Sequence, residues 1–281
     1  MKKDNLLVSS ALTHLIIIIL GIGMLYPIIW LIMASFKEAN QIFSNPALLP
    51  ETWTLENYIE GWKGIHIVSF GTFFTNSFFI SITCTVINAV ACSVTAYAFA
   101  RLKFIGKKFW FAIMMVTLML PGHVTTIPRY VIFRMFGWVD TFYPFIVPSF
   151  FGGDAFFIFL MVQFIRSLPR DMDESAVIDG CTKFGIYSKI IFPLTMPAII
   201  TTLLFKFLWT WDDFFSQMIF LNSPELYTVP LGLRLFLDST GISSWGSMFA
   251  MSVLSLIPCF VLFFSLQRYF VQGITTTGIK G

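Results

Sequence analysis

Charge is scarce in this sequence. Of its 281 residues only 12% are Asp, Glu, Lys or Arg, about half the ~25% of a soluble domain. A water-soluble fold of this length could not cover its surface with so few charges, so composition makes lipid the solvent for much of the chain. Cysteine and histidine are also few. Cys84, Cys92, Cys181 and Cys259 have no metal-ligand spacing. Cys84 and Cys92 on one helix would lie roughly 12 Å apart along it, too far for a disulfide. His14, His66 and His123 fall on separate segments, so no metal centre is expected. The chain has no G-x-x-x-x-G-K-[ST] loop, no H-E-x-x-H and no G-x-S-x-G, which leaves no candidate nucleotide, zinc-protease or nucleophile-elbow chemistry. A net charge of +3 gives no reason to expect a nucleic-acid partner.

Apolar residues make up 57% of the chain and mean hydropathy is +0.80. They fall in long runs, and six candidate spans emerge, at about 12–34, 72–100, 109–133, 141–165, 197–221 and 247–270; each is near the ~20 residues a bilayer requires. The first follows Lys2 and Lys3 without a small-residue cleavage site, so it reads as an uncleaved helix rather than a signal peptide. Pro121-Gly122 and Pro128 interrupt the third, a break that membrane helices tolerate where protein or water re-satisfies the backbone. With the N-terminus inside, the inner segments collect 12 Lys and Arg against 5 in the outer ones, which predicts that both termini are cytoplasmic. Residues 35–71 read as a small extracytoplasmic cap, and 222–246 as a loop rich in turn signals. The organisation is therefore residues 1–71, a first helix plus cap, and 72–281, a core of five spans.

The segment from 167 to 195, between the fourth and fifth spans, is too polar to cross a membrane and too patterned for a linker. Pro169 ends the preceding helix, and Asp171 with Glu174 is spaced as a capping box that opens a short helix. Gly180 sits where a C′ glycine would close it. Thr182 can cap a second helix carrying Phe184, Tyr187, Ile190 and Ile191 on one face, with Pro193 closing it and Pro197 opening the next span. Pattern alone leaves two readings: a rigid knob for docking another protein, or an amphipathic connector resting on lipid headgroups.

Two spans carry polar stripes. In the second, Ser77, Ser81, Thr85, Asn88, Cys92 and Thr95 share a face, which favours close helix packing through small residues over a solute-lining role. In the fifth, Thr202, Lys206, Trp209, Asp213 and Ser216 share a face. Lys206, a cation inside a span, must meet protein or water. A sugar path would use such aromatic and polar groups; the other reading is that Lys206 pairs with an acid, on this chain or a partner, for assembly. Asp154 is a further candidate for the path.

The 167–195 segment resembles the EAA loop of bacterial ABC importer permeases. Glu174, Ser175, Ala176, Gly180, Ile190, Phe192 and Pro193 stand at that loop's spacings, with Ser175 for Ala and Phe192 for Leu as departures. Asp179 before Gly180 is similar to the sugar-transport branch. Asn76-Ser77, Ala96 to Arg101, Leu120 to Gly122 with Ile127-Pro128, Trp211 to Phe214, Leu226 to Gly232, Gln267 to Phe270 and the tail Gly278 to Gly281 also look like the maltose-type (MalG-like) carbohydrate permeases, over about residues 10–281. The resemblance implies an all-α, MetI-like permease fold of six transmembrane helices in a bacterial cytoplasmic membrane, with no enzyme activity of its own. It implies a second permease subunit, a cytoplasmic ATPase dimer that binds ATP and Mg, an extracytoplasmic solute-binding protein and a carbohydrate substrate. By the same resemblance Glu174, Ser175, Ala176, Asp179 and Gly180, with Ile190 and Pro193, form the ATPase-coupling element. The tail would approach the ATPase, and the loop at about 234–246 would reach the binding protein. A glycerol-phosphate compound is the alternative solute. A secondary transporter or channel is the competing class, and it would have no use for a docking knob.

Overall fold

The structure is a computed structural model that describes residues 2–64, 68–152, 154–238 and 244–278. It is helical throughout those residues apart from turns and one isolated bridge residue. In lipid a backbone without water must satisfy its own polar groups, and helices do so within one segment. In chain order the helices are α1 (Lys2–Ser35), α2 (Gln41–Ser44), α3 (Glu56–Lys63), α4 (Phe70–Arg101), α5 (Lys107–Thr117), α6 (Gly122–Met135), α7 (Tyr143–Phe150) and α8 (Ala155–Ser167). They continue as α9 (Asp171–Ile178), α10 (Lys183–Ile186), α11 (Phe192–Leu194), α12 (Met196–Trp211), α13 (Phe214–Phe220), α14 (Val229–Asp238) and α15 (Trp245–Gly278).

Among the described residues four stretches are long and apolar enough to cross a membrane: Leu12–Ser35, Phe70–Arg101, Tyr143–Ser167 and Trp245–Tyr269. A fifth arises if Lys183–Leu194 and Met196–Trp211, bent by 72°, count as one. The third expected span, 109–133, is divided between α5 and α6, with Pro121 in the break. The fifth, 197–221, is divided between α12 and α13. Residues 222–246, expected as loop, include the ten-residue helix α14. The reason is tertiary: the Ser77 hydroxyl accepts a hydrogen bond from the Val229 N–H at 2.8 Å and caps that helix from α4.

Two compact units form. One comprises Met1–Gly71 and Leu233–Ile257, the other Thr72–Gly232 and Pro258–Gly281. Leu233–Ile257, placed with the core on sequence, thus groups with the N-terminal segment. In that unit the cap is tied to the end of α1. The buried Lys37 ammonium donates to the Asn45 and Ala47 carbonyls at 3.2 and 2.6 Å, and the Asn57 amide donates to those of Ser35 and Lys37 at 2.9 and 2.7 Å.

The second unit has a core of Cys92, Ala96, Tyr97, Ala100, Phe157, Met161, Ile165, Ala176, Ile186 and Ile191. Most of the polar stripe of α4 turns into protein: Ser77, Ser81, Thr85, Asn88 and Cys92 are all buried. Such small side chains let membrane helices approach closely.

Candidate functional site

The 167–195 segment folds as helix, glycine turn, helix. Arg170 occupies the N-cap position without a side-chain cap bond, and Asp171 is the first helical residue, so the expected capping box is absent. Asp171, Asp173 and Glu174 instead lie in the first turn of α9, where carboxylates oppose the helix dipole favourably. The far end is a complete Schellman closure: the Cys181 N–H donates to the Ala176 carbonyl at 2.9 Å and the Gly180 N–H to that of Val177 at 3.0 Å. Gly180 has φ +78°, a left-handed conformation that glycine adopts without a Cβ penalty. Thr182 Oγ1 then accepts from the Gly185 N–H at 3.1 Å and caps α10, as its position suggested.

Beyond α10 the chain makes a π-helical turn over Tyr187–Ile191, with the Phe192 N–H on the Tyr187 carbonyl. Pro193 opens the last short turn instead of ending the helix, and the bend falls at Thr195. The buried face is Ile186 and Ile191, with Tyr187 and Ile190 packed partly against the core. Phe184, expected there, is 74% exposed. The π turn advances the ring positions relative to a regular helix, and no regular spacing would have found it.

This segment is fixed to α4 at four points. Arg101 Nε lies 3.0 Å from Asp173 Oδ2, with the arginine side chain 5% exposed, and its Nη2 donates to the Leu168 carbonyl at 2.9 Å. Tyr97 Oη donates to the Lys183 carbonyl at 3.0 Å, and the Ser93 and Tyr187 hydroxyls share a hydrogen bond of 2.7 Å. Outward from this anchorage, Glu174, Ser175, Asp179 and Gly180 are exposed, as is Pro193. So are Val177 and Ile178, the latter 85% exposed, two apolar positions that the sequence reading did not single out. Ala176 is buried, which corrects its expected place on a docking surface: it packs α9 onto the core.

A second constellation lies within the same unit, around a cavity of about 390 Å³. Lys206 Nζ meets Asp154 Oδ2 at 2.7 Å, and the Asn88 amide donates to the same oxygen at 3.1 Å. An unpaired cation in a span costs ~2.5–3.5 kcal/mol on insertion scales, and an internal carboxylate offsets part of that. The partner is therefore on this chain. Asp213 caps α13 by accepting from the Ser216 N–H at 3.0 Å. Lys206, Asp154, Asp213 and Ser216 all line the cavity, so four of the six candidate path residues converge. Thr202 is buried and bonds the Ala198 carbonyl at 3.0 Å. Trp209 turns away, its ring 5.1 Å from that of Phe157 and 5.6 Å from that of Phe156. Thr210, one turn beyond Lys206 on the same helix, takes the expected place of Trp209, and beyond Trp211 the helix stops and restarts at Phe214. Arg129, Phe145 and Ser149 also line the cavity and carried no signal in the sequence beyond the prolines beside them.

Two stretches that carried the family resemblance lock together. The Asn76 amide donates to the Glu225 and Tyr227 carbonyls at 2.8 and 2.9 Å. Ser77 caps α14 beside them, and a Cβ on Gly232 would meet the Phe73 ring at 2.2 Å. Part of the 234–246 loop, residues 239–243, and the tail residues 279–281 lie outside the described residues. Among the described residues no group of three His, Cys, Asp or Glu could hold a metal ion.

Residues 89–276 match the family described as binding-protein-dependent transport system inner membrane component, and the chain belongs to that family. It is thus a membrane permease component of an ABC import system rather than an enzyme. A probable ABC transporter permease, YurM of Bacillus subtilis, is 32% identical over 92% of this chain and 85% of that protein. The arabinooligosaccharides transport system permease AraQ of Halalkalibacterium halodurans is 32% identical over 91% of each chain. The trehalose/maltose transport system permease MalG of Thermococcus litoralis is 30% identical over 94% of each. A chain of a bacterial ABC transporter for the acidic polysaccharide alginate shares the fold, with a TM-score of 0.81 over 94% of this chain and 96% of that one at 22% identity.

Proposed function

We propose that this chain is a permease subunit through which an ATP-driven importer passes a carbohydrate, delivered by an extracytoplasmic solute-binding protein, into the cytoplasm. Family membership supports the importer, and relatives named for arabinooligosaccharides and for trehalose or maltose support the solute class. In this reading six spans cross a bacterial cytoplasmic membrane with both termini inside, α12 and α13 together forming one broken span and α5 and α6 another. A second permease subunit completes the pathway. ATP and Mg bind to a separate ATPase dimer, since this chain carries no phosphate-binding loop.

One observation carries the mechanical part. The helix α9 presents Glu174, Ser175, Val177, Ile178 and Asp179 to the outside while its inner side is held by Ala176 packing and by the Arg101–Asp173 ion pair. A subunit without a nucleotide site must receive work through a stiff contact, and an anchored helix closed by a Schellman turn is stiff. The test is Gly180→Pro. The fixed φ of proline, about −65°, is incompatible with +78°, so the turn is lost while the spans remain. Membrane insertion is expected to be normal, with ATPase subunits no longer co-purifying and uptake abolished. Normal uptake in that variant, or a purified complex without any ATP-hydrolysing partner, would sink the proposal.

A further inference from the structure

We infer that the 390 Å³ cavity beside the Lys206–Asp154 pair is a point where this subunit itself contacts the passing solute, and that it receives a neutral polyhydroxylated ring, not a phosphate. The inference rests on the permease reading above. Its volume falls at the small end of ligand pockets, which run ~300–1,000 Å³, so it holds one end of a saccharide rather than a long chain.

Its charge decides the class. Two cations, Lys206 and Arg129, and two acids, Asp154 and Asp213, line it, so the cavity is neutral in sum. A phosphate monoester, with close to two negative charges, requires unopposed cations. The Lys206 ammonium is already 2.7 Å from a carboxylate, and the Arg129 guanidinium lies over the Phe133 ring at 5.9 Å, its charge matched in the sum by Asp213. What the cavity offers instead is mixed hydrogen bonding. Asp154 and the Thr210 and Ser216 hydroxyls can accept, and those hydroxyls and Lys206 can donate. A sugar hydroxyl both donates and accepts, so it can enter such a set without breaking the ion pair. Pro144, Phe145 and Pro148 add apolar surface to the lining, suited to the C–H face of a sugar ring. The same set explains why an ion pair stands inside the membrane-spanning region at all: it supplies polarity without net charge.

The test reconstitutes the complete importer in liposomes and measures uptake of trehalose, arabinotriose, galactobiose and glycerol 3-phosphate. The wild type is expected to take up a neutral saccharide. Thr210→Val and Ser216→Ala leave Lys206 and Asp154 paired; each should lower that uptake about tenfold, the loss of one hydrogen bond to a polar solute. ATP hydrolysis stimulated by the loaded binding protein should persist in both variants, which locates the fault in the cavity. Should Thr210→Val not fold, Thr210→Ala serves in its place. Unchanged uptake in the variants, a parallel fall of uptake and hydrolysis, or wild-type preference for glycerol 3-phosphate would each overturn the inference. A wild-type complex that transports without hydrolysing ATP would instead overturn the permease reading, a separate result.

Discussion

Asp140 stands at φ +62°, a left-handed conformation that few non-glycine residues adopt. It is held there by a local network. Its N–H donates to the Phe220 carbonyl at 2.7 Å, and its carboxylate accepts from the N–H groups of Asn222 and Ser223 at 2.8 and 2.9 Å and from the Ser223 hydroxyl. Those hydrogen bonds, the Ser223 hydroxyl first, hold the carboxyl below its ordinary value. A depressed value in the folded state means that the stabilisation is complete above the unfolded-state value, ~3.9. It is lost as pH falls through the lower folded-state value. Asp140→Ala is expected to cost about 1–2 kcal/mol, read as a lower Tm of the detergent-purified protein at pH 7. That difference should shrink as the medium is acidified below about pH 4; a difference that stayed constant with pH would show that the carboxylate charge does not contribute. Gly232 makes the opposite kind of point. Its Cβ would overlap the buried Phe73 ring, so Gly232→Ala should destabilise by about 1–3 kcal/mol through overpacking. Shortening the neighbour in Gly232→Ala/Phe73→Leu should recover part of the lost Tm.

At the scale of elements, α9 shows what pattern can and cannot reveal. Its existence, the Gly180 turn and the Thr182 cap were legible because each depends on neighbours within four residues in the chain. The direction it faces was not. Ala176 turns inward because Arg101, seventy-two residues earlier, grips Asp173, and no local rule contains that pair. The same holds for the cavity. Lys206 announced itself as a cation in an apolar run, and Asp154 as an acid beside glycines. Within the single helix α12, Thr210 four residues on from Lys206 lines the cavity and Trp209 three residues on does not, a choice between neighbouring positions that spacing alone does not make. Helix α14 was hidden for a similar reason, since its start is capped by a serine of α4 rather than by its own sequence. The Arg101 tie has a consequence that can be measured. Arg101→Met strands Asp173 and the Leu168 carbonyl, and should cost about 2–3 kcal/mol, less than a fully buried pair because Asp173 keeps some water. Arg101→Lys keeps the charge but loses the fork to Leu168, and should cost about half as much. Limited proteolysis should cut the variants near residues 168–182 before the wild type; equal protection of all three would show that the core holds α9 without the ion pair.

On the scale of the whole molecule the question is which ends face which side, and the proposed orientation rests on two features. Lys and Arg outnumber by 12 to 5 in the segments assigned inside, a bias that sets orientation when it lies in short loops near span ends. Under the proposed reading, α9, exposed at Ile178 and Val177, docks an ATPase and therefore faces the cytoplasm. In the other unit, Lys63 and Glu60 form an exposed pair at 2.6 Å on α3, in a segment assigned outside. The expected topology is therefore testable with two cysteines in a background where Cys84, Cys92, Cys181 and Cys259 are replaced. Ile178→Cys should react with a membrane-impermeant maleimide only in inside-out vesicles, and Lys63→Cys only in right-side-out cells. Adding purified ATPase subunits to the inside-out vesicles should then slow labelling at residue 178 and leave a control at residue 105, Ile105→Cys, unchanged. Ile105 is 98% exposed in the turn before α5 and so reports access to the same side without being part of α9. Labelling of residue 178 from outside would reverse the orientation. Protection of both cysteines alike would mean that the ATPase covers the inner face broadly instead of gripping α9.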